Sequence, residues 1–168
     1  MRRFLGYLLV VLCLILALSG IPGADFGTIW LTPFAAFRLG TTMRNNACNG
    51  IVDSLDAGSG AGKIKVYTST QPGSVGGTYG TLLGTLTCSD PAFGNSSTGT
   101  ATASSITSDT SADASGAAGT FTMTDSDDNV LADGTCAQGS GDLSFDNSTI
   151  VAGGVIAISS FTVTVPVS

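Results

Sequence analysis

Beyond residue 58 the chain consists of short runs in which apolar and polar residues alternate, the pattern of half-buried β-strands. The alternation is clearest over residues 63–68 and 119–124. An Asp- and Asn-rich turn at residues 125–129 links the second run to residues 130–134, so this pair predicts a β-hairpin. The same reasoning predicts further strands over residues 81–88, 99–106, 142–145 and 155–165.

The first element after residue 37 is predicted to be a helix over residues 41–57. Thr41 or Thr42 supplies an N-cap side chain, and Gly58 ends the helix. We expect this short helix to lie against an edge or an end of the sheet, with Asn45, Asn49 and their polar neighbours facing solvent. The apolar residues expected on its buried face recur at every fourth position, with Val52 beside them: Met43, Ala47, Ile51 and Leu55.

Strand-like runs separated by turn signals predict an all-β fold. The expected architecture is an antiparallel β-sandwich, jelly-roll-like, preceded by the short α-helix and by an N-terminal hydrophobic helix. We divide the chain into a hydrophobic leader, residues 1–37, and a single β-sandwich domain, residues 38–168, with residues 108–118 as a low-complexity loop. The last predicted strand changes phase between Ile158 and Phe161, which predicts a bulge or bend at Ser159-Ser160.

The leader begins with Arg2-Arg3 and continues as an apolar run over residues 4–18. This length suits the hydrophobic region of a signal peptide better than a full membrane span of about 20 residues, and Ala17-Leu18-Ser19 provides small residues for cleavage. A second apolar patch lies at residues 29–37. Three interpretations stay open: a signal peptide, a membrane helix, or an upstream start whose product is not part of the working protein.

Charge and composition argue against several classes of function. The net charge is −6 and every acidic residue is Asp; residues 38–168 hold 4 of the 6 basic and 11 of the 12 acidic residues, a net of −7. Such a surface repels phosphate, so we expect no nucleic-acid partner. The absence of His removes the Ser-His-Asp and Cys-His relays and His-based metal sites. No pair of carboxylates stands out, so we expect no catalytic residues and no cofactor.

The cysteines leave two interpretations open. Cys13 lies in the leader, whereas Cys48, Cys88 and Cys136 lie in the predicted domain without any CxxC pair. A disulfide between Cys88 and Cys136 is plausible if their strands adjoin. Otherwise all three are buried free thiols, which is the interpretation we prefer because free Cys packs as a small hydrophobic residue.

One glycine-rich stretch resembles a phosphate-binding loop. Residues 58–63 read Gly-Ser-Gly-Ala-Gly-Lys, but the glycines are one residue too close together. Ile64 also stands where a Ser or Thr must contact magnesium, and the stretch runs from helix to strand rather than from strand to helix. A flexible connector is the preferred interpretation.

The turn at residues 125–129 resembles the start of a calcium-binding loop, with Asp125, Asp127 and Asn129 as weak metal candidates. Val130 stands where that loop requires Gly, and Cys136 stands where a bidentate Glu belongs. A hairpin turn rich in Asp and Asn is therefore the preferred interpretation, and we expect no metal site.

Two further signals concern carbohydrate. Asn95-Ser96-Ser97 and Asn147-Ser148-Thr149 match the N-glycosylation pattern, which matters only in a eukaryotic secretory setting. Three aromatic residues are candidates for a carbohydrate-binding face, although core packing is the preferred interpretation: Tyr67, Tyr79 and Phe93.

Several stretches, taken in chain order, resemble small structural proteins of tailed bacteriophages. Together they span roughly residues 38–166, and their order and spacing carry the resemblance rather than any single piece. The stretches are Arg38-Leu39-Gly40-Thr41-Thr42-Met43-Arg44-Asn45, Ile51-Val52-Asp53, Lys63-Ile64-Lys65-Val66-Tyr67-Thr68, Gln71-Pro72, Leu82-Leu83-Gly84-Thr85-Leu86-Thr87, Asp90-Pro91-Ala92-Phe93-Gly94, Thr107-Ser108-Asp109, Gly119-Thr120-Phe121, Asp125-Ser126-Asp127 and Ser160-Phe161-Thr162-Val163-Thr164.

The resemblance implies a β-sandwich that sits on a virion, as a capsid decoration (cement) protein or in the tail, and it supplies no catalytic residues. It implies capsid or tail proteins as partners and a homo-oligomer formed through β surfaces and the N-terminal helix. Such proteins begin just before the stretch that matches Arg38-Leu39, so residues 1–37 are foreign to the pattern and the upstream-start interpretation is preferred. Cys88 and Cys136 also depart from the pattern, which leaves room for a stabilising disulfide.

We therefore expect a non-enzymatic structural protein of a phage, located in the virion. The alternative is an exported or membrane-anchored bacterial surface protein derived from a prophage, with membrane contact only through residues 1–37. A third and less favoured hypothesis is an Asp-dependent glycan enzyme or a lectin.

Overall fold

Eleven strands and one α-helix form the part of the chain that the computed structural model describes, residues 38–167. The helix, α1, spans Thr41–Val52 and continues as a 3-10 turn over Asp53–Asp56. Leu39–Val167 form one compact unit. The strands are β1 (Lys63–Tyr67), β2 (Leu82–Cys88), β3 (Thr100–Thr102), β4 (Ile106–Thr107), β5 (Gly116–Ala117), β6 (Thr120–Thr124), β7 (Val130–Gln138), β8 (Ser140–Gly141), β9 (Leu143–Phe145), β10 (Thr149–Ile150) and β11 (Thr162–Thr164).

The main sheet has the strand order β4-β2-β1-β6-β7-β8, with β9 also paired to β7. All of its pairings are antiparallel except that of β7 with β9. Strand β1 lies in the middle, and its Ile64 and Val66 are completely buried while the residues between them are half-buried. The period of two over residues 63–68 therefore predicted this strand correctly.

The predicted hairpin at residues 119–134 is confirmed as β6 and β7. The register pairs Thr120 with Thr135 and Met123 with Ala132. It then shifts, because Thr124 pairs with Val130, so Leu131 is an extra residue that forms a β-bulge. Strand β7 also extends beyond the predicted end, to Gln138, because its last residues pair with β8 and β9.

The predicted loop over residues 108–118 is confirmed except at Gly116–Ala117, but it is not a free surface loop. This segment covers the outer edge of β2: Asp113 N donates to Leu83 O at 2.8 Å, and Thr85 N donates to the Asp109 carboxylate at 2.8 Å. The segment ends in β5, which pairs with β10. An uncovered edge would leave backbone groups without partners, so this polar segment acts as an edge cover.

Gly84 is required for this cover because the segment approaches the β2 backbone closely. A Cβ atom at this position would collide with the Asp109 carboxylate and with Ile156. No residue with a side chain fits without moving them.

The inner face of the sheet is covered by α1 and by two ribbons, β3 with β11 and β5 with β10. Phe161, next to β11, packs edge-on against Phe121 of β6 with ring centroids 5.6 Å apart, and it also contacts Phe93. These aromatic rings tie the β3–β11 ribbon to the core.

The prediction of one strand over residues 155–165 is wrong in extent. Ile156 forms an isolated bridge with Asp109, and only Thr162–Thr164 form a strand, paired with β3. Between Ile156 and Thr162 the chain changes its pairing partner from Asp109 to strand β3. The predicted break is confirmed as a bend at Ser159.

Helix α1 exists, but its predicted buried face is confirmed only for Val52 and Leu55. Cys48, Val52 and Leu55 are buried, whereas Met43 is 58% and Ile51 50% exposed. The predicted N-cap is also wrong, because Gly40 occupies that position and makes no side-chain bond. The helix is rotated so that part of its polar side faces the protein.

Hydrogen bonds explain this rotation. Asn45 Oδ1 accepts from Gly99 N at 2.7 Å, and Asn49 Oδ1 accepts from Ser96 N at 2.8 Å. Arg44 Nε donates to Val165 O at 2.9 Å. These side chains satisfy backbone groups of the turn before β3 and of the segment after β11, so packing of the apolar stripe alone did not decide the orientation.

The described region is thus mostly antiparallel β, with one short helix and a curled sheet, as the alternation predicted in outline. The predicted N-terminal hydrophobic helix lies outside the described residues. Within residues 38–167, no helix combines the length and the apolar character needed to cross a membrane.

The two faces of the helical segment predict different costs for truncating neighbouring apolar residues. Leu55→Ala should lower the free energy of unfolding by about 2–5 kcal/mol because it leaves a cavity. Ile51→Ala should change it by less than about 0.5 kcal/mol, because half of that side chain is already in water. Urea denaturation of both variants measures the difference, and equal losses would contradict the observed helix orientation.

Candidate functional site: the outer face of the sheet

The residues of β1 and β6 that point away from the core form a polar surface, here called the outer face. On β1 it carries Lys63, Lys65 and Tyr67, which alternate with buried Ile64 and Val66. The register places these three residues directly beside three threonines of β6: Thr124, Thr122 and Thr120. This surface holds every lysine of the chain.

Both lysines bind the same carboxylate. Lys63 Nζ lies 2.8 Å and Lys65 Nζ 3.0 Å from Asp128 Oδ1, in the turn between β6 and β7. Hydrogen bonds from Lys63 and then Lys65 lower the pKa of Asp128. Because Asp128 is about half exposed, water screens these ion pairs and each contributes little to stability. Their main effect is to fix the position of the turn on the outer face.

The threonines beside the lysines are unusually well buried. Thr122 and Thr124 are 0% and 1% exposed, and their Oγ1 atoms have no hydrogen-bond partner within the described part of the chain. In the register Lys65 stands beside Thr122 and Lys63 beside Thr124, and long charged side chains can cover neighbouring surface while their charged ends reach water. The outer face is thus a covered surface and not an open cleft at this point.

The other end of the outer face is covered by residues 71–80. The rings of Tyr79 and Tyr67 are stacked with centroids 5.1 Å apart, and Tyr79 Oη donates to Asp133 Oδ2 at 2.6 Å. Gln71 Nε2 donates to Asp133 Oδ1 at 2.5 Å. Burial and then the hydrogen bond to Asp133 raise the pKa of Tyr79. The Pro/Gly-rich loop is therefore attached to the sheet.

The candidate carbohydrate-binding face does not form. Tyr67 and Tyr79 meet on the outer face, whereas Phe93 is 5% exposed and packs in the core against Phe161. Core packing was the correct interpretation for Phe93 and the wrong one for the tyrosine pair.

The three weak metal candidates meet in one turn, but both carboxylate oxygens of Asp125 serve the turn itself. Asp125 Oδ1 accepts from the backbone N–H groups of Asp127 and Asn129 at 3.0 and 2.9 Å, and Oδ2 accepts from Asn129 Nδ2 at 2.8 Å. The hydrogen bond from the Asn129 side chain is the main cause of the lowered pKa of Asp125. Within residues 38–167, no three acidic or thiol groups are placed to hold a metal ion.

The glycine-rich stretch before β1 contacts this same turn. Ser59 N donates to Ser126 Oγ at 3.1 Å, and Ser126 Oγ donates to Ala57 O at 3.1 Å. Gly58 has a φ of +94°, and a Cβ there would collide with the Ser126 side chain. The stretch is thus a connector held by hydrogen bonds to the hairpin turn.

The strands that carry Cys88 and Cys136 do not adjoin, so the possible disulfide between them is not formed and the preferred interpretation, buried free thiols, is correct. Cys88 is on β2 and Cys136 on β7, and β1 and β6 lie between them. Three strand spacings amount to about 14 Å along the sheet, well beyond the roughly 7 Å limit for bridged Cα atoms. Cys48, Cys88 and Cys136 are all free and buried. Burial raises the pKa of Cys88 and of Cys136 to about 11.

A groove of about 400 Å³ lies on the other side of the sheet, among residues 145–157. Phe145, Ile150 and Ile156 line it together with backbone and small polar side chains. Val151 and Val155, at its rim, are 64% and 67% exposed. Its composition suits a contact with another apolar surface better than chemistry on a substrate.

Comparisons with protein-family models, with curated proteins and with solved structures gave no match in any of the three searches.

The hydrogen bonds of Asp125 predict a stability contribution that depends on pH. Because its pKa is lower in the folded protein than its ordinary value of 3.8, the contribution is complete above pH 3.8 and is lost as the pH falls through the folded value. Asp125→Ala should therefore reduce the urea midpoint at pH 7 and progressively less below pH 3.8. Asp127→Ala, in the same turn but exposed, is the control, and a similar loss in both variants would contradict the role of Asp125.

Burial of the thiols predicts slow reaction in the folded protein. In a Cys13→Ser background, Cys48, Cys88 and Cys136 should react with a thiol reagent only slowly at pH 8, and all three should react rapidly in denaturant. Spectrophotometric thiol counting measures both states. A count of one thiol in unreduced, denatured protein would show a disulfide and contradict the observed arrangement.

Proposed function

We propose that the chain is a non-enzymatic structural protein of a phage virion, a capsid decoration (cement) protein that acts through protein–protein contacts. The observation that carries the proposal is the ordered series of motifs over residues 38–166. In the fold these motifs supply the central strand β1, most of β2, the first residues of β6 and the part of the turn that precedes Asp128. Much of the centre of the main sheet is thus built from residues of these motifs.

The surface of the described region supports a role in contacts. Within residues 38–167, large apolar side chains are exposed at several places, which include α1 (Met43 and Ile51), the loop over the outer face (Val75) and the groove (Val151 and Val155). Exposed apolar groups of this kind are common at contact surfaces between proteins. The strongly acidic surface favours partners that carry basic groups over nucleic acid.

The parts of β2 and β7 that β4, β8 and β9 leave unpaired are protected, which favours contact through faces over strand addition. Residues 109–113 cover β2, and on β7 the bulge at Leu131 and the hydrogen bond from Gln71 to Asp133 O interrupt the edge. Such devices hinder uncontrolled pairing of exposed strands. A protein present in many copies on a particle needs this protection.

The proposal includes a finer architecture and an assembly state. The two ribbons form the second layer of a jelly-roll-like β-sandwich, with the main sheet as the first layer. The protein is a homo-oligomer that contacts capsid or tail proteins.

An exported or membrane-anchored bacterial surface protein is the second candidate. Arg2-Arg3 and the apolar run over residues 4–18 favour it, because they match the start of a signal peptide. In that case the same β-rich body is displayed at a cell surface, and membrane contact is confined to residues 1–37.

Mass spectrometry of purified virions and of membranes from the producing cells separates the two candidates. We expect the tryptic peptide of residues 45–63 in virions, in a fixed ratio to the major capsid protein. We also expect the peptide of residues 4–38 to be absent from virions, since the upstream start is the preferred interpretation. Recovery of residues 45–63 only from membranes or culture medium, with none in virions, would refute the virion role and support the alternative.

A further inference from the structure

The groove among residues 145–157 has one wall that hydrogen bonds to the edge-cover segment hold in place. Gly153 N donates to Ala112 O, and Ala112 N donates to Gly154 O, both at 2.8 Å. The turn over residues 151–154, which forms this wall, is therefore attached to the neighbouring segment at two backbone positions.

The opposite wall, at residues 145–149, is held in the same way. Gln138 Nε2 donates to the backbone oxygen of Asp146 at 2.8 Å, and Thr149 N donates to Asn147 Oδ1 at 2.9 Å. Because hydrogen bonds fix both walls, the groove has its shape before any partner binds, and binding does not have to order it.

Apolar side chains continue from the interior of the groove to its rim. Phe145, Ile150 and Ile156 line the groove and are at most 9% exposed. Val151 and Val155, at the rim, are 64% and 67% exposed. The two valines thus extend the apolar surface into water, which favours contact with a large apolar side chain of another molecule.

The charge at the groove is negative. Asp146 lines it and is exposed, and the carboxylate of Asp146 forms no ion pair with any of residues 38–167. No Lys or Arg lines the groove, and the chain has none after Lys65. An acidic group without a cation beside it attracts the basic group of a partner.

We propose that this groove is the docking site for an extended segment of a partner protein in which Lys or Arg flanks a large apolar side chain. The apolar side chain enters between Val151 and Val155, and a basic side chain binds Asp146. Side chains two positions apart in an extended segment point to the same side, so a Lys-x-Phe-x-Lys pattern meets both requirements. The inference rests on the proposed function and deepens it by naming the contact surface and the chemistry of the partner.

Charge argues against a second copy of the chain as the occupant. Residues 38–168 carry a net charge of −7, so two copies repel each other. In the described region Lys63 and Lys65 already bind Asp128, and Arg44 Nε binds Val165 O. A partner with free basic groups fits the groove better.

A single contact of this kind is weak. The groove has a volume of about 400 Å³, which admits one large side chain and parts of its neighbours. Many copies on one particle can still bind firmly, because each contact raises the effective concentration for the next.

Fluorine NMR of defined peptides, mixed with the full-length chain, tests the site. The probe is the capped peptide Lys-Ser-Phe-Ser-Lys with a fluorine atom on the phenylalanine ring, and the comparison is the equally labelled Glu-Ser-Phe-Ser-Glu. At low salt we expect the protein to broaden the signal of the lysine peptide roughly fivefold more than that of the glutamate peptide. Raising the salt concentration to about 0.5 M should remove most of this difference, because salt screens exposed charges.

Matched charge variants locate the binding. Asp146→Asn and Asp127→Asn remove the same charge from two exposed positions, and only Asp146 lines the groove. We expect Asp146→Asn to weaken binding of the lysine peptide several-fold and Asp127→Asn to leave it nearly unchanged. This comparison separates a contact at the groove from general attraction to an acidic protein.

A second pair of variants tests the apolar part of the contact. The double variant Val151→Ser/Val155→Ser should weaken binding of the lysine peptide several-fold, whereas Val75→Ser on the distant loop should not. All three valines are more than half exposed, so the urea midpoints of both variants should stay close to that of the unchanged chain.

Four results would each overturn the proposal. They are no broadening of the lysine peptide, equal broadening of the lysine and glutamate peptides, equal effects of Asp146→Asn and Asp127→Asn, and lysine-peptide binding that persists in the double valine variant.

Failure of the groove is distinguishable from failure of the proposed function. Virions that contain the protein, in which the lysine peptide nevertheless does not bind the groove, would refute the docking site and leave the virion role intact. Peptide binding that depends on Asp146 and on the two valines, in a protein absent from virions, would support the docking site and refute the virion role.

Discussion

The pairing of β1 with β6 is the constraint on which the rest of the described structure depends. It joins two strands that are far apart in the chain and places both in the centre of the sheet. One side of the pair buries Ile64, Val66, Phe121 and Met123, so the core forms there. The other side aligns the lysines with the turn that follows β6, so the outer face forms as a consequence of the same register.

The central pairing of β1 with β6 explains why other segments must cover the neighbouring strands of the sheet. Once β1 and β6 are paired, β2 and β7 become the strands that need protection, and polar segments supply it through Asp109, Asp113 and Gln71. Side chains that look like loop residues in the sequence therefore provide hydrogen bonds that strand residues would otherwise supply. This explains how a chain so rich in Gly, Ser and Thr encloses a core of apolar residues.

Local patterns allowed the central elements to be predicted but not their long-range partners. Strands β1, β2 and β6 and the β6–β7 hairpin could be predicted because alternation and turn residues are local signals. The edge cover that residues 109–113 form could not be predicted, because these residues bond to the edge of β2, which is distant in the sequence. The same holds for the contact of both lysines with Asp128, which requires knowing that β1 adjoins β6.

Helix α1 shows why periodicity alone can select the wrong face. Two apolar sets fit its sequence, Met43-Ala47-Ile51-Leu55 and Cys48-Val52-Leu55, and the first is the more regular. Three polar side chains decide between them, because Arg44, Asn45 and Asn49 bind backbone atoms of other segments. A signal for this docking would have been the unusual density of Asn on one side of a short helix, although the partners are not visible in the sequence.

Burial and hydrogen bonding keep several titratable groups of the described region in one protonation state over a wide range of pH. It contains no His, burial moves two thiols to pKa values of about 11, and hydrogen bonds move Asp125, Asp128 and Asp142 below the ordinary Asp range. Side chains of the kinds present change protonation mainly outside the interval from about pH 5 to pH 8. Acidification within that interval would therefore leave these three carboxylates charged and these two thiols neutral.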